Sequence, residues 1–80
     1  MELVLLLNEV EQEYLKATAK FGKFNSAHEG YAVILEELEE LKTEVFKKKQ
    51  NRDIDRMRKE AIQIAAMAIR FITDVCEGCK

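Results

Sequence analysis

Apolar residues recur every three or four positions in the first part of the chain. They are Leu3, Leu6, Leu7, Val10, Tyr14, Leu15 and Ala17. In an α-helix this spacing places the side chains on one face. The pattern predicts a first helix over about residues 2–20, ended by Gly22 and followed by a connector.

A second helix is predicted from a capping signal. Ser26 precedes Glu29 by three residues. In such a pair the serine hydroxyl accepts a hydrogen bond from the glutamate N–H, and the glutamate carboxylate reaches back to the serine N–H. We expect this helix over about residues 27–48. Gly30 is a weak point in its first turn, costing about 1 kcal/mol relative to alanine.

A third helix is predicted to begin at Asn51 or Asp53, both good N-cap residues, and to stop at Gly78. The short connector makes the second and third helices antiparallel neighbours. Residues 61–76 are apolar round most of the helix circumference, so nearly all sides must be buried. Two helices of this length cannot surround a third, so we expect a homodimer or homotetramer. The predicted fold is all-α, with a three-helix protomer in one domain (1–80) forming an oligomeric helical bundle.

Composition supports a small helical protein. The chain has 80 residues, no proline and three glycines, which argues against a many-stranded fold. So short a chain has a marginal core, which oligomerisation would reinforce. Residues 3–7 are apolar but lack a basic segment before them, and no apolar run reaches the length of a membrane span. We expect a cytoplasmic protein with no membrane partner. The net charge of −2 disfavours a nucleic-acid partner.

Glutamates form an acidic strip along the predicted second helix. At 100° per residue, Glu37, Glu40 and Glu44 lie on one strip that borders the apolar face. Like charges at these spacings repel by a few tenths of a kcal/mol per pair. A divalent cation would offset this repulsion, and Mg²⁺ takes carboxylate and phosphate oxygens. The alternative is an ordinary solvated, glutamate-rich face.

Polar residues also share one face of the predicted third helix. They are Glu60, Gln63, Arg70 and Asp74. Antiparallel packing would bring Glu60 and Gln63 opposite the acidic strip and create an oxygen-lined site between the helices. Asp74 lies several turns away from Glu60, and we expect it to pair with Arg70 at i, i+4.

Two short motifs resemble those of the all-α NTP pyrophosphohydrolases, the superfamily of MazG, HisE and the dimeric dUTPases. Residues 36–40 match the family's EExxE motif, and residues 60–63 follow at the spacing of its ExxD motif. The amino-acid sequences of residues 28–41 and 58–72 resemble those of a MazG-like subgroup. The resemblance covers about residues 8–76. The sequence departs from the family at Gln63, which replaces the ExxD aspartate. Three possibilities follow from this neutral residue. The metal site functions with fewer charged ligands, or Asp74 or Glu44 supplies the missing carboxylate, or catalysis is weak or absent.

The resemblance implies hydrolysis of a nucleoside triphosphate to the monophosphate and pyrophosphate. Mg²⁺, with Mn²⁺ as the alternative ion, would be held by Glu37, Glu40, Glu60 and Gln63. Glu36 or Glu37 would position or deprotonate the attacking water. The alternative function is a non-catalytic helical protein that senses nucleotides or binds a partner, which the neutral Gln63 favours.

A basic segment follows the acidic strip. Its candidate substrate-binding residues are Lys47, Lys48, Arg52 and Arg56. They could steer or clamp a polyphosphate, or they could form a solvated helix connection. At the end of the chain, Cys76 and Cys79 form a CxxC pair after a helix C-terminus, where the helix dipole disfavours a thiolate. This pair is half of a zinc site, or simply two free thiols.

Overall fold

The computed structural model describes residues 2–77, and over this range the chain is built from helices. The elements are α1 (Leu3–Phe21), α2 (Ala27–Val45), a 3₁₀ turn (Lys49–Asn51), α3 (Ile54–Phe71) and a π-helix (Ile72–Cys76) that continues α3. The predicted all-α class with three main helices is confirmed. Within residues 2–77, no helix is both long and apolar enough to cross a membrane.

Both predicted capping residues at the first connector are found. Gly22 follows α1 with φ of +72°, and its N–H donates to the carbonyl of Thr18. Ser26 caps α2, with its hydroxyl 3.0 Å from the N–H of Glu29. The reciprocal bond is shifted by one residue from the prediction, because the Glu29 carboxylate accepts from the backbone and side chain of Asn25.

The end of α2 was predicted three residues too late, and Glu44 explains the difference. Its side chain is 2% exposed. One carboxylate oxygen accepts from the Asp53 N–H at 2.7 Å, and the other accepts from the Lys47 ammonium at 2.9 Å. The Arg52 guanidinium donates to the carbonyl of Val45 at 2.8 Å. These bonds satisfy backbone groups at the turn, so the helix ends there rather than continuing to residue 48.

Asp53 caps α3, as predicted, and accepts from the N–H of Arg56 at 3.1 Å. After Phe71 the helix widens into the π-helix, where the Thr73 hydroxyl donates to the Arg70 carbonyl at 3.2 Å. The predicted stop at Gly78 and the second cysteine, Cys79, lie outside the described residues. The other cysteine, Cys76, is exposed with a free thiol.

The middle layer of the protomer is α3, which packs against both α1 and α2. The contacts with α2 are antiparallel, since Glu44 meets Asp53 at one end and Gly30 meets Phe71 at the other. An ion pair between Glu9 and Arg58 ties α1 to α3. The buried apolar core is small and consists of Val10, Ala17, Phe24, Ala66 and Met67.

The protomer is elongated and leaves much apolar surface exposed. Its dimensions are 47 × 28 × 19 Å and its radius of gyration is 13.7 Å, against roughly 11.6 Å for a compact chain of this length. Its accessible surface is 6048 Å², against roughly 5,000 Å² for a typical monomer of this mass. The exposed large side chains include Leu3, Leu7, Tyr31, Leu35, Leu38, Ile54, Ile69 and Ile72.

Gly30 is required by packing, and its replacement should destabilise the protein. A Cβ atom there would lie 2.7 Å from the Phe71 ring and 3.1 Å from the Phe24 ring. Overpacking costs about 1–3 kcal/mol and exceeds the gain in helix propensity of about 1 kcal/mol. We expect Gly30→Ala to lower the free energy of unfolding, by up to about 2 kcal/mol in urea denaturation.

The exposed position Ala32 provides the control for helix propensity. Ala32→Gly changes the same helix without a clash, and should cost about 1 kcal/mol through propensity alone. If Gly30→Ala were as stable as the native protein, the packing of Phe71 on Gly30 would not be a tight contact.

Candidate metal centre and its cavity

Three glutamates from two helices come together at the centre of the α2–α3 interface. Glu37 and Glu40 lie one turn apart on α2, and Glu60 faces them from α3. One carboxylate oxygen from each lies within 4.8 Å of the other two. The expectation that antiparallel packing opposes the acidic strip to Glu60 is therefore confirmed.

Two oxygens of this cluster lack hydrogen-bond partners. Glu60 is 6% exposed. The buried Oε2 atoms of Glu37 and Glu60 accept no hydrogen bond from any residue that the structure describes. Buried polar atoms are normally satisfied, because an unsatisfied one loses its hydration without compensation. Several converging carboxylate oxygens are the ligand type that Mg²⁺ and Mn²⁺ prefer, so the donor set fits a divalent cation.

The carboxylates of this centre are poised to hold a proton when no cation is present. Burial, repulsion from Glu40, the contact with Glu60 and the charge of Glu36 together raise the pKa of Glu37 to about 7, and burial contributes most. A hydrogen bond with Glu60 raises the pKa of Glu40, while the nearby Arg56 opposes that rise. Both shifts follow from crowding negative charge in a partly buried place.

The centre borders a cavity of about 440 Å³. The cavity is enclosed by residues from α1, α2 and α3. Its lining is Glu13, Lys16, Ala17, Lys20, Phe21, Val33, Glu36, Glu37, Gln63, Met67 and Arg70. Glu37 thus belongs to both the carboxylate cluster and the cavity wall, with Glu36 beside it and Gln63 opposite on α3. Glu60 and Arg56 line a second, more polar cavity of about 370 Å³.

The two acids that could supply a charged ligand in place of Gln63, Glu44 and Asp74, form other contacts. Glu44 is bound to the α2–α3 turn, and the Lys47 ammonium holds the pKa of its carboxylate below the usual range, with help from the Asp53 N–H. Asp74 accepts from the N–H of Phe24 at 3.1 Å. The predicted pair between Asp74 and Arg70 is wrong, because this backbone donor takes the carboxylate.

Two of the four predicted basic substrate-binding residues form bonds at the connection between α2 and α3. Lys47 binds Glu44, and Arg52 binds the Val45 carbonyl. Lys48 is exposed before the 3₁₀ turn. Neither these three nor Arg56 line the 440 Å³ cavity. Arg56 differs from the other three, since its positive charge lowers the pKa of Glu40. Its Nε also lies 3.9 Å from a carboxylate oxygen of Glu44.

Sequence reasoning missed the contribution of α1. Lys16 and Lys20 line the same cavity as Glu36 and Glu37. Their spacing places them on one helix face, so a shared role was visible in the pattern. Which face would meet the acidic strip was not visible, because nothing in the sequence fixes the position of α1 against α2.

No protein-family model, curated protein or solved structure matches this chain.

The raised pKa of Glu37 predicts a specific pH dependence of stability in metal-free solution. A carboxyl group whose pKa is raised on folding stabilises the folded state at low pH, and this contribution is lost as pH rises from its ordinary 4.5 through about 7. We expect the melting temperature in EDTA to fall between pH 5 and pH 8. Glu37→Gln should reduce this fall, since it removes the titrating group.

The exposed Glu39, on the same helix, gives the matched control. Glu39→Gln removes one carboxylate outside the cluster and should leave the pH dependence unchanged. A native melting temperature that rises steadily from pH 5 to pH 8 would contradict the electrostatic description of the centre.

Proposed function

We propose that the protein is a Mg²⁺-dependent nucleoside triphosphate pyrophosphohydrolase. The observation that carries this proposal is the convergence of Glu37, Glu40 and Glu60, with two unsatisfied buried oxygens, at the edge of a cavity of ligand size. The resemblance of residues 36–40 and 60–63 to EExxE and ExxD supports the same chemistry.

Each residue of the centre has a role in this proposal. Glu37, Glu40 and Glu60 would hold the cation, and the Gln63 carbonyl is a neutral oxygen donor that lines the same cavity from α3. A bound Mg²⁺ supplies charge neutralisation for the phosphate oxygens. Nucleotide binding and cation binding therefore share the carboxylate cluster.

Glu36 is suited to accept a proton from water. It is exposed on the cavity wall next to Glu37, and it is outside the group of carboxylates that converge. In the proposed reaction the water oxygen attacks the α-phosphorus, the bond between that phosphorus and the α–β bridging oxygen breaks, and pyrophosphate leaves. The water proton passes to the Glu36 carboxylate, which acts as a general base.

One observation favours a second candidate function, a non-catalytic nucleotide sensor. Gln63 is neutral where the family carries an aspartate, and the structure shows Glu44 and Asp74 engaged in other contacts. Such a protein would bind a metal–nucleotide complex without turning it over. The enzyme and the sensor would use the same site, but only the enzyme would release pyrophosphate.

We also propose that the protomer assembles as a homodimer or homotetramer. Its surface exceeds that of a typical monomer by about 1,000 Å², comparable to the roughly 800 Å² that each partner buries in a stable interface. Tyr31, Leu35 and Leu38 follow i, i+4, i+7 spacing on α2 and are 63%, 37% and 49% exposed. Ile69 on α3 and Ile72 at the start of the π-helix are also exposed.

Pyrophosphate release from a panel of NTPs and dNTPs, with Mg²⁺ or Mn²⁺, tests the enzymatic function. Glu37→Gln and Glu60→Gln should each lower kcat/KM at least about 100-fold, because loss of a metal ligand removes several kcal/mol of charge stabilisation. The exposed Glu39→Gln variant should retain native activity. Absence of product from folded native protein that still binds nucleotides would reject the enzyme and favour the sensor.

Light scattering coupled to size-exclusion chromatography tests the assembly. We expect a mass that is two or four times the 9.3 kDa of the protomer. Leu35→Lys combined with Leu38→Lys should shift the mass toward the protomer, since charge is placed in the buried interface. Thr43→Lys, at an exposed polar position of the same helix, is the control. A folded native monomer would overturn the proposal.

A further inference from the structure

Arg70 is a buried cation at the edge of the 440 Å³ cavity, and it is only 3% exposed. Its guanidinium carbon lies 4.3 Å from the centre of the Phe24 ring. One terminal nitrogen donates to the carbonyl of Gly22, and the other lies 3.4 Å from the sulfur of Met67. Arg70 is therefore held by stacking and by the end of α1.

The hydrogen-bonding capacity of this guanidinium is largely unused. Its Nε has no partner among residues 2–77, and a thioether sulfur is a weak acceptor. No carboxylate in the same range forms a salt bridge with it, and Asp74 is bound to Phe24 instead. Burying an under-satisfied cation is costly. An acceptor brought by a ligand would relieve this cost.

Helix α3 sets the distance within the cavity between Arg70 and the carboxylate cluster. Gln63, Met67 and Arg70 line the cavity at i, i+4 and i+7 on α3. Ten residues separate Glu60 from Arg70, which corresponds to about 15 Å along the helix axis. A triphosphate chain held at the carboxylates is shorter than this distance. The group that meets Arg70 is then the nucleoside end of the ligand.

The walls near Arg70 suit a flat, partly apolar ring. Ala17, Val33 and Met67 line this cavity, and the Phe21 ring, 68% exposed, lies on the same wall. An adjoining cavity of about 300 Å³ shares Phe21, Val33 and Arg70 with the first. Apolar walls with one convergent polar group are typical of small-molecule sites.

We propose that this cavity binds the nucleobase and that Arg70 selects bases carrying a carbonyl oxygen over those carrying an amino group at the same ring position. The proposal rests on the proposed nucleotide function. A guanidinium has donors and no acceptor, so it can bind a ring carbonyl but gains nothing from an amino group. An amino group there would leave buried donors unpaired. The favoured substrates are nucleotides of hypoxanthine, guanine, uracil and thymine.

Inosine and adenosine triphosphates are the matched probes, since their bases differ mainly by a carbonyl or an amino group at C6. We expect native kcat/KM for ITP to exceed that for ATP at least about tenfold, with UTP above CTP in the same sense. Arg70→Gln offers both a donor and an acceptor, and should bring the ITP/ATP ratio close to about 1. Both substrates are compared on the same variant. Unfolded protein therefore lowers both rates by the same factor, and the ratio of kcat/KM for ITP to that for ATP is unaffected. Equal native rates for ITP and ATP would overturn the proposal.

A second variant tests the position of the base without disturbing the core. Phe21→Ala removes an exposed ring, and should raise KM for ITP about fivefold or more through lost stacking, with a smaller change in kcat. An unchanged KM would show that the base binds elsewhere.

Binding of IMP and AMP, measured by calorimetry, separates this inference from the proposed function. Tighter binding of IMP with no pyrophosphate release from any nucleotide would support the base site and reject the enzyme. Pyrophosphate release with no discrimination between ITP and ATP would reject the base site and leave the enzyme intact.

Discussion

The candidate site depends on the register between α2 and α3, and Glu44 sets that register. Its buried carboxylate, near the end of α2, accepts hydrogen bonds from the N–H of Asp53, the N-cap residue of α3, and from Lys47 in the connection. At the other end, the absence of a side chain at Gly30 admits the Phe71 ring. A slip of one turn would move the helices about 5.4 Å past each other, more than the 4.8 Å within which the three carboxylate oxygens lie.

Charges of both signs line the cavity, and on α1 Glu13 pairs with Lys16. Glu36 and Glu37 line it beside the carboxylate cluster, whereas Lys20 and Arg70 line it together with the end of α1. The two kinds of charge are held differently, since packing forces the carboxylates together while Arg70 is stacked on Phe24. A ligand that carries negative charge at one end and ring carbonyls at the other complements this arrangement only when a cation neutralises the phosphates. For the proposed nucleotide ligand, orientation in the cavity would therefore depend on whether the cation is bound.

The sequence was informative where periodicity and local chemistry act alone. The three helices, the caps at Ser26 and Asp53, and the opposition of Glu60 to the acidic strip follow from spacing. The errors arose where a side chain satisfies a distant backbone group. Glu44 reads as part of an exposed strip yet is buried against the α2–α3 turn, and Asp74 binds the Phe24 N–H rather than its i−4 neighbour. The cavity wall on α1 required knowledge of tertiary packing, which one amphipathic pattern does not contain.

The raised pKa of Glu37 means that a proton would compete with the proposed cation for one set of oxygens. Burial and the neighbouring carboxylates favour the protonated form of this carboxyl up to about pH 7. A cation held by all three carboxylates would have to displace that proton, so its apparent affinity would fall as the pH drops below about 7. The proposed metal site would therefore be linked to the acidity of the surrounding solution.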